Sequence, residues 1–88
     1  MSEQAQTEAV DDEAAASVSE LLIEAREAAG LSQADVAAKL YLTHTFIRYI
    51  DEGDFHKIPK GTAFIKGYLR AYAREVGLDG DAIVQKYE

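Results

Sequence analysis

Residues able to do catalytic chemistry are few in this chain, and their spacing does not suit it. His44 and His56 are the only histidines, and there is no cysteine. A metal site would need both histidines to converge with Asp51 or Asp54, since the chain has neither an HxxxH pair nor a cysteine pair. His56 reads more simply as a polar loop residue. Ser17, Ser19 and Ser32 lie in no G-x-S-x-G turn and are better explained as helix caps. The glycines stand singly, so no loop can cradle a phosphate, and Asp51-Glu52-Gly53-Asp54 lacks the alternate acids and distant Glu of a calcium loop. No catalysis, cofactor or metal is expected. The binding chemistry is more pronounced. Between Phe55 and Arg74 there are five bases, Lys57, Lys60, Lys66, Arg70 and Arg74, and no acid. This predicts a local positive patch, suited to an acidic partner or phosphates, although a solvated charged face needs no partner at all.

That patch sits in a chain of 88 residues with a net charge of -7, a length that allows about one small domain. Hydrophobic residues make up 48% and charged residues 28%, so there is a core to bury and the chain is neither fibrous nor wholly disordered. The charge is unevenly placed. Residues 1–19 hold five acids and no base, leaving 11 acids against 9 bases in the remainder. The folded part is therefore close to neutral, and the overall acidity does not by itself exclude phosphate binding. The longest uncharged run, about eight residues, is far below the roughly 20 that cross a bilayer. An acidic start without a base before Arg26 is the opposite of a secretory signal or presequence. Residues 1–18 are expected to be a disordered acidic tail, because Val10 is the one aliphatic residue of 1–17 and cannot offset the entropy of ordering. A mostly exposed Ala-rich helix from near Asp12 is the alternative. Residues 19–88 are expected to fold.

The elements can be placed from their ends. Ser17 or Ser19 can cap a first helix whose stripe is Leu21, Leu22, Ala25, Ala28 and Ala29, closed by Gly30. Ser32-Gln33-Ala34-Asp35 has the form of a capping box and leads into Val36, Ala37 and Leu40. Thr43 can cap a third helix carrying Phe46, Ile47 and Ile50 and ending at Gly53. Residues 54–61 form a loop anchored by Phe55 and Ile58. Thr62 can cap a fourth helix from Ala63 to about Val76, closed by Gly77, and Asp79 or Asp81 can cap a last one carrying Ile83, Val84 and Tyr87. No alternating strand pattern survives beside these. The predicted class is all-α, a five-helix bundle.

Two short helices joined at Leu40–Thr43 suggest a helix-turn-helix. Leu31-Ser32-Gln33, Val36-Ala37, Leu42-Thr43, Ile47, Ile50 and Asp51-Glu52-Gly53 resemble the repressor-like XRE helix-turn-helix family, with Tyr41 where that family usually carries a turn glycine. The resemblance implies a third helix that enters the major groove. Base readout there would fall to Thr43, His44, Thr45 and Arg48, of which only Arg48 is a strong donor. Asp51, Glu52 and Asp54 are expected to face phosphates with the wrong sign.

The fourth helix holds more information. With Phe64 set at zero, Tyr68 falls at about 40°, Tyr72 at about 80°, Ile65 at about 100°, Val76 at about 120°, Leu69 at about 140° and Ala73 at about 180°. This arc is wider than the roughly 100° a surface helix must bury. Ile65, Leu69, Tyr72 and Val76 are assigned to the core. Phe64 and Tyr68 lie at the margin, beside Gly67, Ala71 and Arg74. An aromatic pair next to a small-residue shelf and an arginine has the composition of a protein-binding hot spot. Gly67 costs about 1 kcal/mol in a helix interior, and close approach of another backbone is one reason for it.

The run Ala63-Phe-Ile-Lys-Gly-Tyr-Leu-Arg-Ala-Tyr-Ala-Arg74, with Val76-Gly77-Leu78 after it and Glu52-Gly53-Asp54-Phe55 and Ile58-Pro59 before it, resembles the N-terminal cytoplasmic domain of the RodZ family of bacterial cell-shape proteins. The similarity covers residues 19–88. It implies an adaptor on the cytoplasmic face of the inner membrane that binds the actin-like MreB filament through its fourth helix, and a domain of about 70 ordered residues is expected to be a monomer as it stands. The family's contact aromatics fall on Phe64 and Tyr68; the residues themselves add Lys60 and Arg74 as a basic rim beside the shelf of Gly67 and Ala71. The resemblance also implies a membrane segment beyond Glu88. A DNA-binding regulator of the XRE type is the second reading.

Overall fold

Helix boundaries in so short a chain are set by local capping chemistry, and most of the predicted caps form. In the computed structural model, which describes residues 17–58 and 61–88, five α-helices follow one another with no strand among the described residues. The first, α1, covers residues 17–28, and α2 is Gln33–Leu40, α3 His44–Glu52, α4 Thr62–Glu75 and α5 Gly80–Tyr87. A 3-10 turn, Phe55–Lys57, lies between α3 and α4.

The capping box at Ser32 is complete, since Ser32 Oγ accepts from Asp35 N–H and the Asp35 carboxylate accepts from Ser32 N–H. The bond from Ser32 N–H to the carboxylate, and after it the neighbouring Ser32 hydroxyl, hold the Asp35 carboxyl below its ordinary range. Thr43 Oγ1 accepts from Phe46 N–H at the start of α3, and Gly53 ends that helix in the left-handed region at φ 76°. Asp79 caps α5. At α4 the prediction moves by one residue. Gly61, not Thr62, is the N-cap, with φ 87°, a backbone angle that glycine reaches without strain.

α1 also differs from its prediction. It is already helical at residue 17, and Val18 is fully buried, so Val18, assigned to the tail, belongs to the core. The rest of the tail lies outside the described residues. Ser19 is not a cap, because it sits inside the helix and its hydroxyl donates to the Ile50 carbonyl of α3. Ala28 and Ala29 are exposed. The inward row is Val18, Leu22 and Arg26, four residues apart and so on one face.

Around that row the core gathers Val36 and Ala37 of α2, Ile47 and Ile50 of α3, the loop anchors Phe55 and Ile58, Ile65, Leu69, Tyr72 and Ala73 of α4, Val76 just past its end, and Ile83 and Val84 of α5. Each helix is too short to hold together alone, so its stability comes from this shared apolar face. Tyr87 closes one end with its ring edge against Phe55, 5.1 Å between centroids. Among the described residues no helix is long and apolar enough to cross a membrane.

Candidate functional site

α4 divides as the helical wheel requires. Ile65, Leu69, Tyr72 and Ala73, followed by Val76, are buried, while Phe64 is 51% exposed and Tyr68 half-buried. The two rings are neighbours, 6.4 Å apart with planes tilted at 43°. A Cβ built on Gly67 would meet nothing within 4 Å. Gly67 is exposed and Ala71 half-buried, so a shelf lies open beside the aromatic pair. Among the described residues no other backbone approaches a Cβ at Gly67 within 4 Å to account for its glycine.

The positive patch is weaker than its sequence. Lys57 pairs with Asp54 at 3.3 Å, Lys66 with Glu88, and Arg70 with Asp81 at 2.9 Å. Acids that are remote in sequence or flank the run fold onto it, which a count along the chain does not register. Such exposed pairs contribute little to stability, but they set an acid against three of the five bases. Arg74 is exposed and makes no ion pair among the described residues. Lys60, the other half of the expected basic rim, lies outside them.

The front of α3 is largely engaged within the chain. Thr43 is spent on its capping bond. His44 Nε2 is 2.9 Å from Gln33 Oε1, and Arg48 Nε lies 3.9 Å from Glu52 one turn on. Thr45 is exposed.

Asp51 corrects the expectation that it faces phosphates. Its side chain is 3% exposed. The carboxylate accepts from Tyr72 Oη at 2.7 Å, from Gln33 Nε2 at 2.8 Å and from Arg26 Nη2 at 3.3 Å. Arg26 also donates from Nε to Tyr72 Oη at 3.1 Å and from Nη1 to the Leu31 carbonyl at 3.0 Å. The carboxylate points inward because α1 and α4 bring donors to it, so every polar side-chain atom of the cluster is satisfied. Burial first, then the bond to Asp51, hold the Tyr72 hydroxyl above the ordinary tyrosine range. The orientation of Gln33 follows from the same chemistry. A carboxylate only accepts, so the amide nitrogen faces Asp51 and the amide oxygen faces His44, which must then donate from Nε2.

Arg26 is the residue that sequence reasoning missed. Its signal was present, as a charge four residues after Leu22 on the inward face of α1, where only a buried partner makes a cation acceptable. Phe46 was read only as a core contributor of α3. It is half-buried, and its ring lies 5.8 Å from that of Tyr68. Tyr41, in the turn between α2 and α3, is 95% exposed and holds φ 58°, the left-handed conformation for which a glycine is the usual choice.

A family model described as a helix-turn-helix domain matches residues 21–83 of this chain, from within α1 into α5. No solved structure matches it.

Proposed function

We propose, from the premise that this chain belongs to the helix-turn-helix domain family, that it is a protein-docking member of that family and not a reader of DNA. In this reading it is the cytoplasmic adaptor domain of a RodZ-type cell-shape protein. It acts by binding, without catalysis, and α4 docks the actin-like MreB filament. A membrane segment elsewhere in the full-length protein would tie the filament to the inner membrane. The observation that carries the reading is the pair Phe64 and Tyr68, aromatic side chains left partly in solvent on a helix whose adjoining face, Ile65, Leu69, Tyr72 and Ala73, is buried. Large aromatics beside an open shelf and an arginine are what energetically dominant interface residues tend to be. Arg74 gives the rim its charge and steers an acidic partner more than it adds affinity. The run Phe64-Ile-Lys-Gly-Tyr-Leu-Arg-Ala-Tyr-Ala-Arg74 and its flanks, which resemble the RodZ family, support the identity of the partner.

DNA binding through Thr43, His44, Thr45 and Arg48 is the second reading, favoured by the exposure of all four. Against it, Thr43 and His44 already hold partners within the chain, and base readout needs free donors at the front of the helix.

The two readings part in a parallel titration of the domain with purified MreB and with random duplex DNA at two salt concentrations. The docking reading expects MreB binding that is indifferent to Arg48→Ala and weak binding to DNA. DNA binding that falls steeply with salt and with Arg48→Ala would transfer the function to α3.

A further inference from the structure

The aromatic surface of α4 has a third member on another helix. Phe46 stands 5.8 Å from Tyr68 with ring planes at 47°, and Tyr68 stands 6.4 Å from Phe64. Tyr68 therefore has a ring neighbour on α3 as well as one on its own helix. The wheel explains the arrangement. Tyr68 lies about 40° from Phe64, toward the buried side, so one face of its ring is turned to whatever packs beside α4. Phe46 fills that place. It sits in the first turn of α3, where its own N–H is held by Thr43, and next to Ile47 and close to Ile50, both fully buried. Its backbone is thus fixed by a cap and a core at once.

A tyrosine on a helix surface samples several rotamers, and docking must pay for whichever ones are lost. A ring packed against a fixed neighbour has lost them already. We infer that Phe46 is a positioning residue of the docking surface, holding the Tyr68 ring in the orientation that an actin-like filament subunit meets. This rests on the reading of α4 as the docking helix. It gives α3 a supporting part in that surface, through the edge opposite to the one that would read DNA, since Arg48 lies roughly 160° around the helix from Phe46.

The test uses the 88-residue chain and purified MreB, with binding and thermal melting measured for Phe46→Leu, Phe46→Met, Phe46→Tyr, Phe64→Ala, Tyr68→Leu and the Phe46→Leu,Tyr68→Leu pair. Removing the Phe46 ring is expected to weaken binding roughly 2- to 10-fold, the size of a lost aromatic pair. Phe46→Tyr, which keeps a ring, should restore affinity, and Phe46→Leu should cost nothing further once Tyr68 is leucine. Phe46→Met replaces Phe46→Leu if the leucine variant does not fold. Equal losses with and without Tyr68, or no loss at all, would overturn the role of Phe46 while leaving docking through α4 intact, provided Phe64→Ala and Tyr68→Leu still weaken binding. If those two changes leave MreB affinity untouched, the docking reading falls and the role of Phe46 falls with it.

Discussion

The Tyr72 hydroxyl of α4 donates a 2.7 Å hydrogen bond to the Asp51 carboxylate at the end of α3, and Arg26 of α1 reaches both. With Gln33 of α2, which donates to the same carboxylate, four helices thus share one polar cluster. Removing the cation would leave a carboxylate in an apolar interior with only neutral donors. Arg26→Ala should therefore cost about 3 kcal/mol or more of unfolding free energy. A domain this small has only about 5 kcal/mol or somewhat more to lose, so urea titration followed by circular dichroism should find the variant's midpoint at less than about half the urea concentration of the parent's. The Arg26→Ala,Asp51→Ala pair should cost less than the sum of the single changes.

The same cluster predicts an alkaline weakness. Tyr72 stays protonated in the fold to a pH above its ordinary value of 10.0. The stability it contributes is fully present below that value and declines as pH rises beyond it, because the unfolded chain then gives up the proton that the folded chain keeps. Melting temperature measured from pH 8 to 11 should fall less steeply above pH 10 in Tyr72→Phe than in the parent.

Much of this architecture could be read from the chain because caps are local. Ser32 with Asp35, Thr43, Gly53, Gly77 and Asp79 each announce a helix end within four residues of the bond they make. The buried face of α4 follows from periodicity in the same way. What could not be read depends on contacts distant in sequence. Asp51 resembled an exposed helix end until Arg26, 25 residues earlier, and Tyr72, 21 residues later, were brought to it. The basic run on α4 resembled a free patch until α5 and the chain end supplied Asp81 and Glu88. Of the candidate site, Phe64 and Tyr68 were legible from the wheel, while Phe46 was not, because its neighbour is on a different helix.

Tyr41 keeps a left-handed backbone with a side chain 95% in solvent. It makes almost no packing contact to lose, and a non-glycine residue in that region costs on the order of 1 kcal/mol or more. Tyr41→Gly should raise stability by about 0.5–1 kcal/mol, the strain relief exceeding the added entropy of the unfolded chain. A lower melting temperature in this variant would mean that the turn is not strained.

Two glycines should respond in opposite ways to alanine. At Gly67 a Cβ meets nothing within 4 Å, so Gly67→Ala should stabilise α4 by about 0.5–1 kcal/mol. If the open shelf serves the partner, the same change should weaken MreB binding. At Gly80 a Cβ would stand 2.6 Å from Arg70 Cγ and 3.0 Å from the Arg70 carbonyl oxygen. Gly80→Ala should push α5 away from α4 and cost roughly 1–3 kcal/mol, the usual range for overpacking. Thermal melts of the two variants side by side check both signs.

The account turns on Phe64 and Tyr68 acting in recognition more than in the core. The most direct measurement is the affinity of the chain for purified MreB before and after Phe64→Ala,Tyr68→Ala, with the melting temperature of each protein taken alongside. The account predicts a loss of about 2 kcal/mol or more in binding, in a domain that still melts cooperatively. Undiminished binding would contradict it, and so would a double variant whose fold is damaged as severely as its binding.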